Sequence, residues 1–305
     1  MVNSSELKTV MDRVLKVPDS FRRLDVTGAD TQRIYGIDPD LLENLLDLGL
    51  SHNGTGETVR FDRLDLENIG VALRLPSKHW LSARMWARYL EKPHAERESF
   101  CKLCVSWRCP EPGHDGDCLF FAGPQLLTKC GDAARDISGA RSLEIDAELE
   151  DEKCAFGDSF QAVADAAQEL TFHRIPNNLV NDYRFVTETL LADCRSATRH
   201  LIKVAVSAGL EMRPASGFFV GFPFPAAHTW LELRHEERWV AADPFFLTTL
   251  QRWGLVNKEK WPITSSPQRV LWRWETSDSM PPPLILHGEN GRAVTSLIAI
   301  RQNGR

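Results

Sequence analysis

Ala192-Asp193-Cys194-Arg195-Ser196-Ala197-Thr198-Arg199-His200-Leu201-Ile202-Lys203-Val204-Ala205-Val206-Ser207-Ala208-Gly209 carries apolar side chains at positions 197, 201, 204, 205 and 208, the spacing of one helix face. Asp193 suits an N-cap and Gly209 the residue after the last turn, which puts Cys194 at the first helical position. Unsatisfied N–H groups and the positive end of the helix dipole meet there, and both favour a thiolate over a thiol. The stretch predicts a helix that opens on a nucleophilic cysteine.

A base and an orienter follow in the chain. Trp230-Leu231-Glu232-Leu233 and Arg238-Trp239-Val240-Ala241-Ala242 are strand-like runs around the polar stretch Arg234-His235-Glu236-Glu237. With those four residues as the loop, Leu233 faces Arg238 and His228 lies directly opposite Asp243. Opposed residues hold their Cβ atoms about 4.5–5.5 Å apart, close enough for a carboxylate to accept from an imidazole N–H. That contact fixes the tautomer and leaves the other ring nitrogen to take a thiol proton. Cys194, His228 and Asp243 are the candidate catalytic residues.

These residues and their surroundings resemble the transglutaminase-like superfamily. The resemblance rests on Cys194 at a helix start, Gly209-Leu210-Glu211-Met212-Arg213-Pro214-Ala215, the strand-like Gly217-Phe218-Phe219-Val220-Gly221, His228-Thr229-Trp230-Leu231-Glu232, and Trp239-Val240-Ala241-Ala242-Asp243-Pro244. It covers roughly residues 155 to 250, and Ala192 stands where many members carry glycine. It implies an α+β fold of the transglutaminase-like (papain-like) kind, with the nucleophile helix packed on an antiparallel sheet. It also implies acyl transfer through a thioester acyl-enzyme at an amide or thioester carbonyl.

The 305-residue chain, with a formal net charge of −6 and a hydrophobic fraction of 43%, shows no electrostatic footprint for nucleic acid or for an anionic membrane. Neither partner is expected. Met1-Val2-Asn3-Ser4-Ser5-Glu6-Leu7-Lys8 lacks an apolar signal core, so a cytoplasmic location is expected. Phosphate-loop, dinucleotide-turn, nucleophile-elbow and metalloprotease-helix motifs are missing, which leaves the thiol chemistry without a rival.

Seven cysteines are an odd number for a disulfide scaffold. Cys101, Cys104, Cys109, His114 and Cys118 follow the spacing C-x2-C-x4-C-x4-H-x3-C, a C-x2-C knuckle with later ligands on a Pro/Gly-rich turn. They are the candidate ligands of a structural zinc ion, five donors for four places. A zinc module ahead of a Cys-His-Asp core is similar in layout to peptide N-glycanases, which pair two such knuckles where this chain has one.

The acidic run Glu144-Ile145-Asp146-Ala147-Glu148-Leu149-Glu150-Asp151-Glu152 reads as a boundary or as the solvated face of a helix. It suggests an N-terminal mixed region over 1–150, with the zinc module at about 100–130, and a catalytic domain over 151–305. Asp38 to Gly49 and Trp80 to Leu90 suit helices. Gln268 to Trp274 and Ala293 to Ile300 suit strands that extend the sheet begun by the histidine and aspartate strands.

Phe222 to Pro225 make an apolar approach to His228 that suits an acyl chain or an aromatic group. A small-molecule, peptide or carrier-bound acyl substrate is expected, with an amine or water as acceptor and no cofactor for catalysis. Amide formation with an amine is the favoured outcome. Hydrolysis by a cysteine protease, amidase or deamidase is the alternative, and a zinc-organised scaffold without turnover is the second.

Overall fold

The computed structural model describes residues 3–92, 100–111, 118–131, 137–150, 154–221, 224–288 and 291–301. Its helices are α1 (Ser4–Val14), α2 (Gly28–Tyr35), α3 (Pro39–Asp47), α4 (Arg63–Ala72), α5 (Lys78–Glu91), α6 (Pro124–Cys130), α7 (Gln161–Glu169), α8 (Tyr183–Thr189), α9 (Cys194–Ser207) and α10 (Pro244–Arg252). Its strands are β1 (Leu24–Thr27), β2 (His52–Asn53), β3 (Arg60–Asp62), β4 (Phe100–Trp107), β5 (Phe120–Ala122), β6 (Ser142–Glu148), β7 (Thr171–Phe172), β8 (Leu191–Ala192), β9 (Met212–Phe219), β10 (Ala226–His235), β11 (Arg238–Ala242), β12 (Leu271–Glu275), β13 (Ile285–His287), β14 (Arg292–Val294) and β15 (Ser296–Arg301). The class is α+β, with several small sheets. No helix among the described residues is long and apolar enough to cross a membrane.

The chain gathers into two compact units, each drawn from three separate stretches of sequence. Unit 1 draws on Met1–Ala87, Gln161–Val204 and Pro244–Ile263, and unit 2 on Arg88–Phe160, Ala205–Asp243 and Thr264–Arg305. Residues 144–148 of the acidic run lie in a strand and not on a helix face: they belong to β6, paired in register with β4 from Phe100↔Glu148 to Ser106↔Ser142. Its acids alternate with buried Ile145 and Ala147, so the charges line the wet face of a strand with a dry face behind it.

Unit 1 is built around the N-terminal helices. Asp38 caps α3 by accepting from the Leu41 N–H at 2.9 Å, and Asp62 caps α4 by accepting from Leu64 and Asp65. These caps aim Leu41, Leu45, Leu66 and Ile69 into a core shared with Val10, Met11, Val14 and Phe61. The small antiparallel sheet β1-β3-β2 packs with them.

A second part of unit 1 prepares the segment before Cys194. Strands β7 and β8 run parallel, and the His173 N–H extends the ladder by donating to the Ala192 carbonyl at 2.9 Å. His173 is almost wholly buried, and burial pushes its imidazole down to about 3 from the ordinary 6.5. It stays neutral in the fold and takes a proton readily once unfolded, so its contribution is present above about pH 6.5 and is lost as the pH falls. Replacing it (His173→Gln) is expected to make the dependence of unfolding free energy on pH between about 6 and 4 shallower by about 1.4 kcal/mol per pH unit. Urea unfolding across that range reads the slope, and an unchanged slope would refute the assignment.

Unit 2 holds the antiparallel sheet β11-β10-β9-β12 and two three-stranded sheets, β15-β4-β6 and β14-β13-β5. Phe218, Trp272 and Trp274 of the first sheet, with Val220 just after β9, share one core with Leu103, Val105, Phe120, Ile145, Ile285 and Ile300 of the others. Of the two C-terminal strands expected to widen the sheet of His228, β12 does so by pairing with β9. The other does not. Residues 293–300 divide between β14 and β15, and β15 pairs with β4, from Ser296↔Trp107 to Arg301↔Lys102.

Candidate active site

Cys194 sits where its sequence context puts it. Asp193 Oδ1 accepts from the Arg195 and Ser196 N–H groups at 3.0 Å, while Ser196 Oγ accepts from the Asp193 N–H at 3.0 Å. This reciprocal pair fixes the start of α9 one residue before the thiol. Arg195 folds back to pair with the Asp193 carboxylate at 2.7 Å, and its other nitrogen donates to Asn177. At the far end Gly209 takes φ 71°. Its N–H donates to Val206 and that of Leu210 to Ala205, which closes the helix with a Schellman motif. Ala197, Leu201 and Ala205 are buried as the periodicity requires, and Ala208 is exposed.

The structure brings His228 and Asp243 together, through a register different from the expected one. Residues Arg234 and His235 belong to β10, and the turn is the pair Glu236-Glu237, with φ 45° and 63°. Positive φ at both central residues marks a type I′ turn, whose twist suits a two-residue hairpin. His235 therefore faces Arg238 and Leu231 faces Ala242, so His228 and Asp243 are diagonal neighbours and not directly opposed. A shift of two residues keeps the same face of the sheet. The contact forms across the diagonal, with His228 Nε2 2.5 Å from Asp243 Oδ2 and both side chains largely buried.

Neighbouring residues hold the histidine in place. The Trp230 ring, fully buried, lies nearly parallel to the imidazole at 6.1 Å between centroids. On β9 the residue facing His228 is Gly217, where a Cβ would lie 2.1 Å from the Trp272 carbonyl oxygen and 3.0 Å from the Trp230 ring. Any side chain there would force β9, β12 and the tryptophan apart.

One step further along the same face, the Glu232 carboxylate is buried and met by Arg213 at 2.6 Å and by Arg273 at 2.9 Å. The Arg213 guanidinium also lies over Trp239, its Cζ 4.2 Å from the ring centre. This ion-pair cluster ties β9, β10 and β12 together beneath the histidine. Arg213 and Glu232 both stand in the motifs quoted above, yet spacing alone gives no sign that they are cross-strand partners.

Cys194 belongs to unit 1, and His228 and Asp243 belong to unit 2. The meeting of thiol and imidazole is part of the functional proposal. Of the apolar approach, Phe224 is exposed, and Phe222 and Pro223 lie outside the described residues.

The zinc candidates fall out differently from their spacing. Cys101 and Cys104 are both in β4, where a step of three residues turns side chains to opposite faces, so the C-x2-C pair forms a length of strand and not a knuckle. Cys101 points into the core of unit 2. His114 lies outside the described residues. Cys109 and Cys118 do converge, and the third member of their cluster is His287, with all three ligand atoms within 4.8 Å of one another. These three residues could hold a metal ion. Nothing in the spacing of the cysteine-rich stretch announces His287, which comes from a strand near the other end of the sequence.

Against known protein families, curated proteins and solved structures, the chain gives no match.

Proposed function

We propose that this chain is a cysteine-dependent acyl-transfer enzyme of the transglutaminase-like kind. The observation that carries the reading is the contact between His228 Nε2 and Asp243 Oδ2, which in the proposed mechanism gives Nδ1 the role of accepting a proton from the thiol. The proton of Cys194 passes to His228 as sulfur attacks an amide or thioester carbonyl. The tetrahedral oxyanion is met by the N–H of Cys194, one of the donors at a helix start that have no intrahelical acceptor. As the bond to the leaving amine or thiol breaks, His228 returns the proton to it, and the acyl group remains on sulfur as a thioester. An acceptor amine then attacks the thioester, gives its proton to His228 and releases Cys194.

The acyl-enzyme is the species to trap. Incubation with the phenylacetyl thioester of N-acetylcysteamine is expected to add one phenylacetyl group to the chain, located on Cys194 by peptide mass analysis. Adding a primary amine is expected to discharge it as the amide faster than water discharges it as the acid. Faster discharge by water would make the protein a hydrolase. An absent adduct, or one spread over several cysteines, would sink the reading.

A further inference from the structure

We propose that Cys109, Cys118 and His287 bind a zinc ion that clips together the ends of three strands in unit 2, a site separate from the acyl-transfer residues. The three donors arrive from different elements. Cys109 follows β4 by two residues, Cys118 precedes β5 by two, and His287 ends β13. Each continues the inward-facing register of its strand, after Trp107 in β4, before Phe120 in β5 and after Ile285 in β13, all buried. His287 pairs directly with Phe120 in the ladder, and its ring packs on the Phe120 ring at 5.2 Å.

The distances match what zinc asks for. Bonds of about 2.3 Å to sulfur and about 2.0–2.1 Å to nitrogen at a tetrahedral angle give an S···N edge of about 3.6 Å and an S···S edge of about 3.8 Å. Cys109 Sγ lies 3.6 Å from His287 Nε2, and no pair in the cluster exceeds 4.8 Å. Small side-chain rotations bring the remaining pairs to these edges.

The surroundings point the same way. The Glu111 N–H donates to Cys109 Sγ at 3.4 Å, the kind of contact that stabilises a metal-bound thiolate, while the protonated thiol donates to the Glu111 carbonyl at 3.8 Å, a bond that metal binding replaces. Glu111 is in turn paired with Arg292 of β14. Two thiolates and a neutral imidazole carry a charge of minus two, so a divalent ion leaves the cluster neutral. Neutrality suits its place beside the core, where Cys118 is 4% and His287 8% exposed. Soft sulfur donors with an imidazole select zinc over magnesium or calcium, which take oxygen. A disulfide would use the two sulfurs at about 2.05 Å and give His287 no role.

Metal analysis of the full chain, purified with reductant and exposed to zinc sulfate, is expected to find close to one zinc per chain. Competition with a chromogenic chelator is expected to show at least a tenfold weaker affinity for His287→Ala and Cys118→Ser, and no change for Cys104→Ser. Because the first two variants could lose the fold with the metal, the unaltered protein supplies an independent reading. Zinc should slow alkylation of Cys109 and Cys118 at least tenfold and leave Cys104 untouched, and cobalt in place of zinc should show thiolate charge-transfer absorption. Absence of bound metal, a Cys109–Cys118 disulfide in reductant, or full zinc retention by a folded Cys118→Ser/His287→Ala double variant would overturn the site.

Discussion

Replacing Cys194 with alanine is expected to abolish acyl-enzyme formation and to lower turnover on the order of 10⁴- to 10⁶-fold, the scale seen when a covalent nucleophile is removed. The fold should survive the change. Alanine is well tolerated in the first turn of a helix, and the start of α9 is set by Asp193 and Ser196, not by the thiol. Circular dichroism and thermal unfolding should therefore match the unaltered protein while the adduct is lost. Alkylation provides a second readout on the same variant. Cys101 and Cys118 are buried, and burial raises the Cys130 thiol above its ordinary value, so all three should react slowly with iodoacetamide. Cys194 should label at least tenfold faster than these, and Cys194→Ala should lack the fast phase. A folded Cys194→Ala protein that still forms the adduct would rule out the mechanism.

The second large effect belongs to Asp243. Its carboxylate holds the His228 ring by Nε2 at 2.5 Å, and alanine would remove this acceptor and the negative charge beside the imidazole. Acylation is expected to slow by about 10²- to 10⁴-fold, the range of a lost acid–base arrangement. Asparagine still offers a carbonyl acceptor but no charge to stabilise the imidazolium, so Asp243→Asn should fall between the parent and Asp243→Ala. The ordering separates positioning from stability. If Asp243 only supports the hairpin, the two variants should lose activity in proportion to the folded protein they lose. If it orients the base, the rate constant for acylation of fully folded protein should fall, and the pH profile of Cys194 alkylation should move with it.

The sequence showed the helix of Cys194 in full because every signal there is local. Cap, periodicity and closing glycine lie within eighteen residues. The hairpin was legible by face but not by register. Glu236 and Glu237 adopt positive φ without the glycine or asparagine that advertises such a turn, and Arg234 and His235, half-buried at the end of β10, are polar enough to pass for loop. The pairing of histidine with aspartate survived the two-residue error only because strand faces repeat every two residues. What failed was long-range. A C-x2-C spacing carries no information on whether its backbone is extended or turned, and β4 is extended. The side chain that meets Cys109 and Cys118 comes from β13, and strand partners chosen across that much sequence leave no trace in spacing. The acidic run misled for a related reason. Its acids outnumber the buried Ile145 and Ala147 that alternate with them, so a strand with one wet face has the composition of a linker.

The pairing of β15 with β4 also sets the order of events at the ribosome. Ser106 is matched with Leu297, which is made 191 residues later. One edge of β4 meets β6 soon after synthesis, while the other has to wait for β15. At ~5–20 residues per second the wait lasts roughly 10 to 40 s. During that time the nascent protein carries an open strand edge with Leu103 and Val105 on its apolar face, a template for pairing with the wrong chain. Unit 1 likewise stays incomplete until Pro244–Ile263 has emerged. Neither unit can finish folding as the N-terminal half is made, and the cell has to keep a half-built sheet from finding a neighbour before its last strand arrives.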